Sequence, residues 1–547
     1  MNLANLGLAG ITVAQNRLQT AGHNINNAAT DGYNRQSVLV ATAGASPTAG
    51  GYIGRGVQAV TVQRAYDSFL SRQLVAAQSA GAASLSYGTE IKQINNLLAD
   101  RSVGIAPALQ KFFDGMQAVA SAPADSAARQ ELLGRAAGLV SQLNDTSRFL
   151  DEQRGNINTQ LSTVVTQINS YAERIRDLNQ QITSARAGTT GHEPNDLLDQ
   201  RDQLVSELNQ LVDVRTVEQD GVFNLTVGSG QVLLGGDTVY PLSAQPSAAD
   251  PARTVIAYSV QGPGGSLIHA EMDEDRIRGG KLGGLLDYRR EALDTVQNQL
   301  GRLAVGLATA INTAHATGVD LAGEPGEDFF SLAPAKVIPQ QGNAGTATLT
   351  ATIDDANALT AQDYVVARTA TGYTVTRIPG GTPTELTGNS GVIDGVAFDF
   401  SGGPAAVGDS WVVQPVREAA AGIGLAISDP AAIAAAAPGT GTANGDVALE
   451  MAQLQTTKVL GNGSMSLNES FSQIVNKVGV LTQQNATEAN AQSALIKQNY
   501  EAQQAVSGVN LNEEYINLQR FQEQFQASAR LIDVSGALFD TLLGLRG

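Results

Sequence analysis

The sequence predicts a mixed, multidomain protein: an α-helical coiled-coil stalk formed by both the N- and C-terminal regions, with two mainly β domains inserted in the middle. Three observations carry that reading. Apolar residues recur every seven positions at both ends of the chain, at Ala4, Ile11, Leu18 and Ile25 and again at Leu511, Leu518, Phe525, Ile532 and Phe539. A longer register of three- and four-residue steps runs from Ala136 to Ile182. Between these flanks the apolar period drops to two in two separate regions, which is strand spacing.

Residues 1–64 read as an axial helix over about Met1–Ala28 and a following extended segment. From Met1 to Asn34 the only formal charges are Arg17 and Asp31, whereas a helix lying alone in water normally carries a charged outer face. Thr30-Asp31-Gly32 is a turn signal, and Ser37–Ala43 reads as extended. Residues 65–212 form the N-terminal half of the stalk. Its best part is the seam Ala136, Leu139, Leu143, Thr146, Leu150, Gln153, Ile157, Leu161, Val164, Ile168, Tyr171, Ile175, Leu178 and Ile182, a coiled-coil register with two polar interruptions. Pro194 then opens a helix at Asn195–Val212.

Residues 213–278 are a first β domain, in which Phe223, Leu225 and Val227 alternate and Thr254–Val260 reads as a strand. Residues 279–343 return to the stalk with a helix over Lys281–Ala316, apolar at Leu293, Val296, Leu300, Leu303 and Leu307, and a linker. The second, outer β domain spans 344–416, where Ala347, Leu349, Ala351 and Ile353 alternate, as do Val396, Phe398 and Phe400, and Trp411 with Val413. Residues 417–505 form the C-terminal half of the stalk, with helices at Asp446–Leu460 and Leu467–Gln504, and 506–547 the C-terminal axial helix, Leu511–Leu545. Phe521 and Leu542 take the d positions of that last register, with Leu531, Leu538 and Leu545 alongside.

A length of 547 residues is enough for roughly three to four domains. The net charge of −18 disfavours nucleic acid, whose binders concentrate positive charge. With no cysteine the chain needs neither a disulfide nor a thiolate metal site. The opening MNLANLGLAGITVAQNRL lacks the basic n-region of a Sec-type signal peptide. No stretch approaches the ~18 apolar residues of a membrane span, so membrane insertion is not expected. A protein of this kind working outside the cell needs an exit route without a cleaved signal.

No catalytic constellation stands out, and no enzyme activity, cofactor or metal is expected. His23, His192, His269 and His315 lie in four different segments without metal-ligand spacing. The run Gly439–Gly445 has one residue too many for a dinucleotide fingerprint and follows an Ala/Pro run, so it reads as a linker. The acidic cluster Glu271, Asp273, Glu274 and Asp275 does not match a calcium loop, and reads as a solvated turn before a helix. Asp354, Asp355, Asp394 and Asp399 sit in Gly-rich hairpins with few aromatics for sugar stacking and read as turn residues rather than glycosidase carboxylates.

The segment from His23 to Tyr33, with Asn24, Asn26, Asn27, Thr30, Gly32 and Tyr33, resembles the N-terminal signature shared by the bacterial flagellar axial proteins of rod, hook and junction. Ser507–Glu514, continuing through Tyr515 to Ile532, is similar to the matching C-terminal signature. Gly279–Arg289, Ala310–Asn312, His315–Leu321, Asn195–Asp202 and Ile427–Pro438 are similar to the core of the hook–filament junction members of that family, which are longer than rod proteins. The resemblance implies an extracellular structural component of the flagellum, exported unfolded through the flagellar type III apparatus. It implies self-assembly into a ring, with the hook protein on one side and a second junction protein, hook-associated protein 3, on the other. It also implies a cytoplasmic export chaperone that holds the C-terminal helix beforehand.

On this reading Ala4, Ile11, Leu18 and Ile25 pack against Leu511, Leu518, Phe521, Phe525, Ile532, Phe539 and Leu542, within and between subunits, to form an inner tube. A lone pair of such helices buries too little to offset its ordering entropy, so assembly is expected to couple folding to binding. Asn24, Asn26 and Asn27 cap and turn the first helix or bond to neighbouring subunits. The alternatives are another axial protein such as the hook, against which the long 136–182 seam and the 279–321 motif argue, and a secreted adhesin or enzyme that uses the 344–416 domain.

Overall fold

The computed structural model describes residues 3–99, 104–188, 192–219, 222–228, 230–261, 267–386 and 388–545. The chain opens with α1 (Leu3–Asn27); the expected start at Met1 lies outside the described residues. An antiparallel ribbon follows, β1 (Gln36–Thr42) against β4 (Val57–Arg64), and between its strands projects a small hairpin of β2 (Ala45–Thr48) and β3 (Gly51–Gly54). Four helices build the outgoing half of the stalk: α2 (Ser68–Ala99), α3 (Ile105–Ser121), α4 (Ser126–Gly188) and α5 (Asn195–Leu211).

The first β region holds seven strands: β5 (Val214–Gln219), β6 (Val222–Val227), β7 (Gln231–Gly235), β8 (Thr238–Val239), β9 (Leu242–Pro246), β10 (Thr254–Gln261) and β11 (Leu267–Glu271). They form one sheet in the order β5-β6-β7-β8 and another in the order β11-β10-β9. The return helix is α6 (Gly280–Tyr288), running through a π-type turn at Arg289–Leu293 into α7 (Asp294–His315). Then come β12 (Phe330–Ser331), β13 (Lys336–Pro339), β14 (Ala347–Ile353), β15 (Asp363–Arg368), β16 (Tyr373–Ile378), β17 (Thr384–Leu386), β18 (Ser390–Ile393), β19 (Val396–Gly402) and β20 (Ser410–Gln414). The outer domain has sheets β13-β20-β15-β16-β17 and β14-β19-β18. Its first strand, Lys336–Pro339, lies ahead of the expected boundary at 344, because Val337 pairs with Val413 and so belongs to the same sheet as Trp411. The chain re-enters the stalk through α8 (Ala419–Gly422) and β21 (Gly424–Leu425), which pairs with β12, and ends in α9 (Asp446–Gln453), α10 (Leu467–Ser507) and α11 (Leu511–Gly544). Helix α9 stops at Gln453, short of the expected Leu460, as Thr456 and Thr457 close turns onto the Gln453 carbonyl.

One continuous apolar core runs from Tyr87 in α2 to Val478 in α10, and the outer domain has a second one around Tyr364, Phe398 and Trp411. The 63-residue α4 is the spine of the first. Every position of its 136–182 seam is buried except the half-buried Tyr171. Of its polar interruptions, Thr146 Oγ1 donates to the Gln142 carbonyl at 2.8 Å and Gln153 Nε2 to Gln93 Oε1 at 3.0 Å, while the buried Gln153 Oε1 has no partner among the described residues. Neither core reaches α1 or α11.

Buried ion pairs join the stalk to both β regions. Asp294, at the start of α7, receives Arg154 of α4 at 3.0 Å, Arg253 beside β10 at 2.8 Å and Arg417 beyond β20 at 3.2 Å. Burial alone would raise this carboxyl's pKa, but Arg417, Arg154 and Arg253 together hold it well below the usual range. Arg417 also grips Asp363 at the start of β15, whose carboxyl burial pushes up to about 6. Such pairs add little net stability, but removing one partner leaves a charge stranded, so they fix the domains' geometry.

Candidate assembly interface

The two terminal helices lie antiparallel, with the beginning of α1 beside the end of α11. The Ala4 amide donates to Ser535 Oγ at 3.2 Å, and Arg17 Nη1 donates to Gln524 Oε1 at 3.3 Å while its guanidinium stacks 5.2 Å from the Phe521 ring. Close approach depends on glycine. A Cβ on Gly7 would stand 2.7 Å from Ile532 Cγ1 and 2.8 Å from the Ser528 carbonyl oxygen, and one on Gly10 would stand 2.4 Å from Ser528 Oγ. The buried residues of α1 are therefore Gly7, Gly10, Val13, Ala14, Ala21 and Asn24, and those of α11 are Glu514, Ser528 and Ser535.

The residues expected to form the seam sit on its margins. Ala4, Ile11, Leu18 and Ile25 are half-buried, as are Leu518, Phe521, Phe525 and Ile532. Leu511, Phe539 and Leu542 are exposed, so a single chain does not bring them to α1. Ser535 meets Ala4 near the start of α1, and the last turns of α11 run on past it. Tyr515, Ile516, Leu531, Val534, Leu538, Leu543 and Leu545 are exposed too, Leu545 at 80 %. On α1 the exposed residues are Leu3, Asn5, Leu8, Thr12, Gln15, Gln19 and Asn26, none of them charged.

The signature segment closes the base of this pair. Asn24, 1 % exposed, uses its whole side chain: Nδ2 donates to the Gln36 carbonyl at 2.9 Å, and Oδ1 accepts the Gln36 amide at 2.9 Å and the Tyr33 hydroxyl at 2.7 Å. Burial, then the nearby Asp196, Asp199 and Glu514, raise the Tyr33 pKa above its ordinary value and keep the phenol a donor. Asn27 Nδ2 caps the His23 carbonyl at 3.0 Å, Thr30 Oγ1 donates to Asn27 Oδ1 at 3.3 Å, and Asn26 is exposed. Gly32 has φ +78° and lies where a Cβ would be 2.9 Å from Gln203, which excludes a side chain twice over. Asp199 of α5 accepts the Asn34 amide at 2.9 Å and Arg64 Nη1 at 2.8 Å, and Arg64 also reaches Asp202 at 2.8 Å. Across the base Arg35 pairs with Glu514 at 2.7 Å and Glu513 at 3.1 Å.

A family profile described as Flagellar hook-associated protein FlgK helical domain matches residues 91–330, and one described as Flagellar hook-associated protein 1, D2-like domain, matches 338–415. The chain is 38 % identical over its full length, and that of the relative, to flagellar hook-associated protein 1 of Escherichia coli. The chain belongs to the flagellar hook-associated protein 1 family. It is 39 % identical, again over all of both chains, to the Salmonella typhimurium protein. The solved structure of the flagellar hook junction protein FlgK from Burkholderia pseudomallei matches 80 % of this chain and all of that one, with a TM-score of 0.74 and 29 % identity.

In this member of the hook-associated protein 1 family, three of the residues weighed for chemistry make structural contacts. His315 is wholly buried, with Nδ1 2.6 Å from the Glu327 carbonyl oxygen and Nε2 accepting the Ala434 amide at 2.8 Å, a neutral staple between α7 and the 427–438 run. Glu274 pairs with Arg253 at 2.7 Å and Arg289 at 2.6 Å, and Asp394 holds Arg377 at 2.6 Å. Among the described residues no group of three or more His, Asp or Glu is arranged to hold a metal ion, and no helix is long and apolar enough to cross a membrane. Sequence reasoning missed Gly7, Gly10, Ser528 and Ser535, which carry no hydropathy signal, and the Arg35 clamp. The small residues three places after Ala4, Ile11 and Leu18, namely Gly7, Ala14 and Ala21, were the trace available.

Proposed function

We propose that this protein is a non-enzymatic structural piece of the bacterial flagellum, set as a ring between hook and filament and built by packing its terminal helices against those of neighbouring copies. One observation carries it: α11 is inside out. Its 34 residues bury only Glu514, Ser528 and Ser535, while a long series of Leu, Val, Ile, Phe and Tyr faces solvent. Apolar surface on this scale marks an interaction site. Alone, the pair buries only the small apolar side chains Val13, Ala14 and Ala21, which supports ordering on assembly. The ring's neighbours are the hook protein and hook-associated protein 3. Before assembly an export chaperone in the cytoplasm covers the exposed face of α11, and the chain leaves through the type III apparatus without a cleaved signal.

The test is position. Labelled copies in an isolated flagellum belong between hook and filament, and Phe525→Asp, a charge on the half-buried seam, is expected to abolish incorporation with the β domains still folded. Normal incorporation of that variant would show that the seam is not an interface. Hydrogen exchange on the free protein reads the coupled folding: slow exchange at Ile11 and Phe525 in the monomer would sink it.

A further inference from the structure

The β2–β3 hairpin has no body to rest on. No residue from Gly44 to Arg55 is buried, and the two bulky apolar side chains of its second strand, Tyr52 and Ile53, are 81 % and 55 % exposed. A two-stranded hairpin by itself is marginal in water. Its root is tied to the ribbon, the Ala43 amide donating to the Gly56 carbonyl at 2.9 Å and the Arg55 amide to the Gly44 carbonyl at 2.8 Å.

The second surface is the Leu-rich end of α11, part of the face proposed above to meet neighbouring copies. Leu531, Val534, Leu538 and Leu545 are all exposed and follow three- and four-residue steps with Leu542. At 3.6 residues per turn this stripe lies roughly 60–120° round the helix from the Ser528–Ser535 line that faces α1. Of the charged residues in the same stretch, Asp533 and Asp540 fall on the opposite side, while Arg530 borders the stripe about 40° beyond Val534. Both surfaces are open in the single chain, so they do not satisfy each other within it.

We propose that the hairpin of one copy seats the face bearing Ile53 on the Leu531–Leu545 stripe of a second copy's α11, with Tyr52 on the strand's other face, an inference that rests on the junction reading above. Charge selects the partner. Copies bearing −18 each repel over most of their surface. The hairpin from Ala43 to Gly56 carries only Arg55, and the stripe carries no charge, so these are places where two copies meet without that cost. A branched aliphatic on a protruding ribbon, facing a row of leucines and one valine, makes an uncharged apolar contact of the kind found at an interface centre.

The absence of cysteine makes the test clean. An Ile53→Cys chain is co-expressed with chains carrying one of Leu531→Cys, Val534→Cys, Leu538→Cys or Leu545→Cys, flagella are isolated and oxidised, and cross-linked pairs are mapped by mass. Because each chain has a single thiol, every heterodimer joins two copies. The expected result is a heterodimer with at least one stripe position in flagella, none in the soluble chains, and an incorporation at least tenfold lower for a Tyr52→Ser/Ile53→Ser variant whose stalk unfolds at the unmodified temperature. Cysteine pairs that incorporate without forming a heterodimer, or that cross-link to a different flagellar protein, overturn the proposal. If the cysteine pairs do not incorporate, the serine variant decides, and its incorporation at the unmodified level overturns it. Absence of the unmodified chain from the hook–filament boundary is a separate outcome that overturns the underlying junction reading.

Discussion

Arg35 and Glu514, 479 positions apart, form a 2.7 Å ion pair in which the carboxylate side chain is only 3 % exposed. The Arg35 amide also donates to the Ser507 carbonyl at 2.9 Å. The turn after α1 thereby fixes where α11 begins. Removing the cation leaves a nearly buried charge uncompensated, the costly way to break such a pair. Arg35→Ala is expected to weaken the docking of α11 by about 1–3 kcal/mol. Lower incorporation into flagella, with the exchange of α4 in the free chain unchanged, is the readout.

Glycine-to-alanine changes in α1 should divide by position rather than by propensity. An exposed helical glycine replaced by alanine gains about 1 kcal/mol. Gly22, where a Cβ meets nothing within 4 Å, is expected to show such a gain. Gly7→Ala meets the Ser528 backbone and Gly10→Ala meets the Ser528 side chain, so both are expected to separate the helices. Only the second can be relieved by Ser528→Gly. Helix content and incorporation of the four variants distinguish these outcomes.

Asn24 satisfies two backbone groups of Gln36 and the Tyr33 hydroxyl. Asn24→Ala strands buried donors and an acceptor, and is expected to cost about 1–3 kcal/mol, against about 0.5–1.5 kcal/mol for Tyr33→Phe, which loses one bond. The Gln36 amide, read by hydrogen exchange, is expected to lose protection in the first variant and keep it in the second.

Burial lowers the His315 pKa below its ordinary 6.5, because a charged ring between α7 and the 427–438 run has no water to solvate it. The unfolded chain therefore takes up the proton first. This residue's contribution is present above the unfolded pKa and lost as pH falls through the folded one. Between about pH 8 and pH 5 the unfolding temperature is expected to fall more for the unmodified chain than for His315→Gln. Equal slopes would show that His315 does not titrate in that window.

How far the sequence was legible follows from how much each segment repeats. The α4 seam repeats fourteen times, and nearly all of it is buried. The terminal helices repeat fewer times, and their closest contacts are made by Gly7, Gly10, Ser528 and Ser535, which no apolar period detects. β13 is four residues ending in Pro339, too short to alternate visibly, and belongs to its sheet through pairing with β20. Apart from Tyr52 and Ile53 the β2–β3 hairpin is written in Ala, Ser, Pro, Thr and Gly, too little apolar alternation to mark two strands. Long-range ion pairs such as Arg35–Glu514 and Arg417–Asp294 leave no local trace, since each depends on a fold that local periodicity does not encode.

The hydrogen bond from Ala4 to Ser535 spans 531 positions, almost the largest separation this chain permits. Helix pairs usually zip up early because their partners are neighbours in sequence; here loop closure is deferred until nearly everything else is in place. A chain ending after α10 but before Ser528 would keep the residues of the α4 spine and the outer domain, yet could not shelter Gly7 and Gly10. On the proposed ring assembly, pairing the first helix with the last would act as a proofreading step, admitting copies with an intact far end and leaving truncated ones with an unmatched first helix.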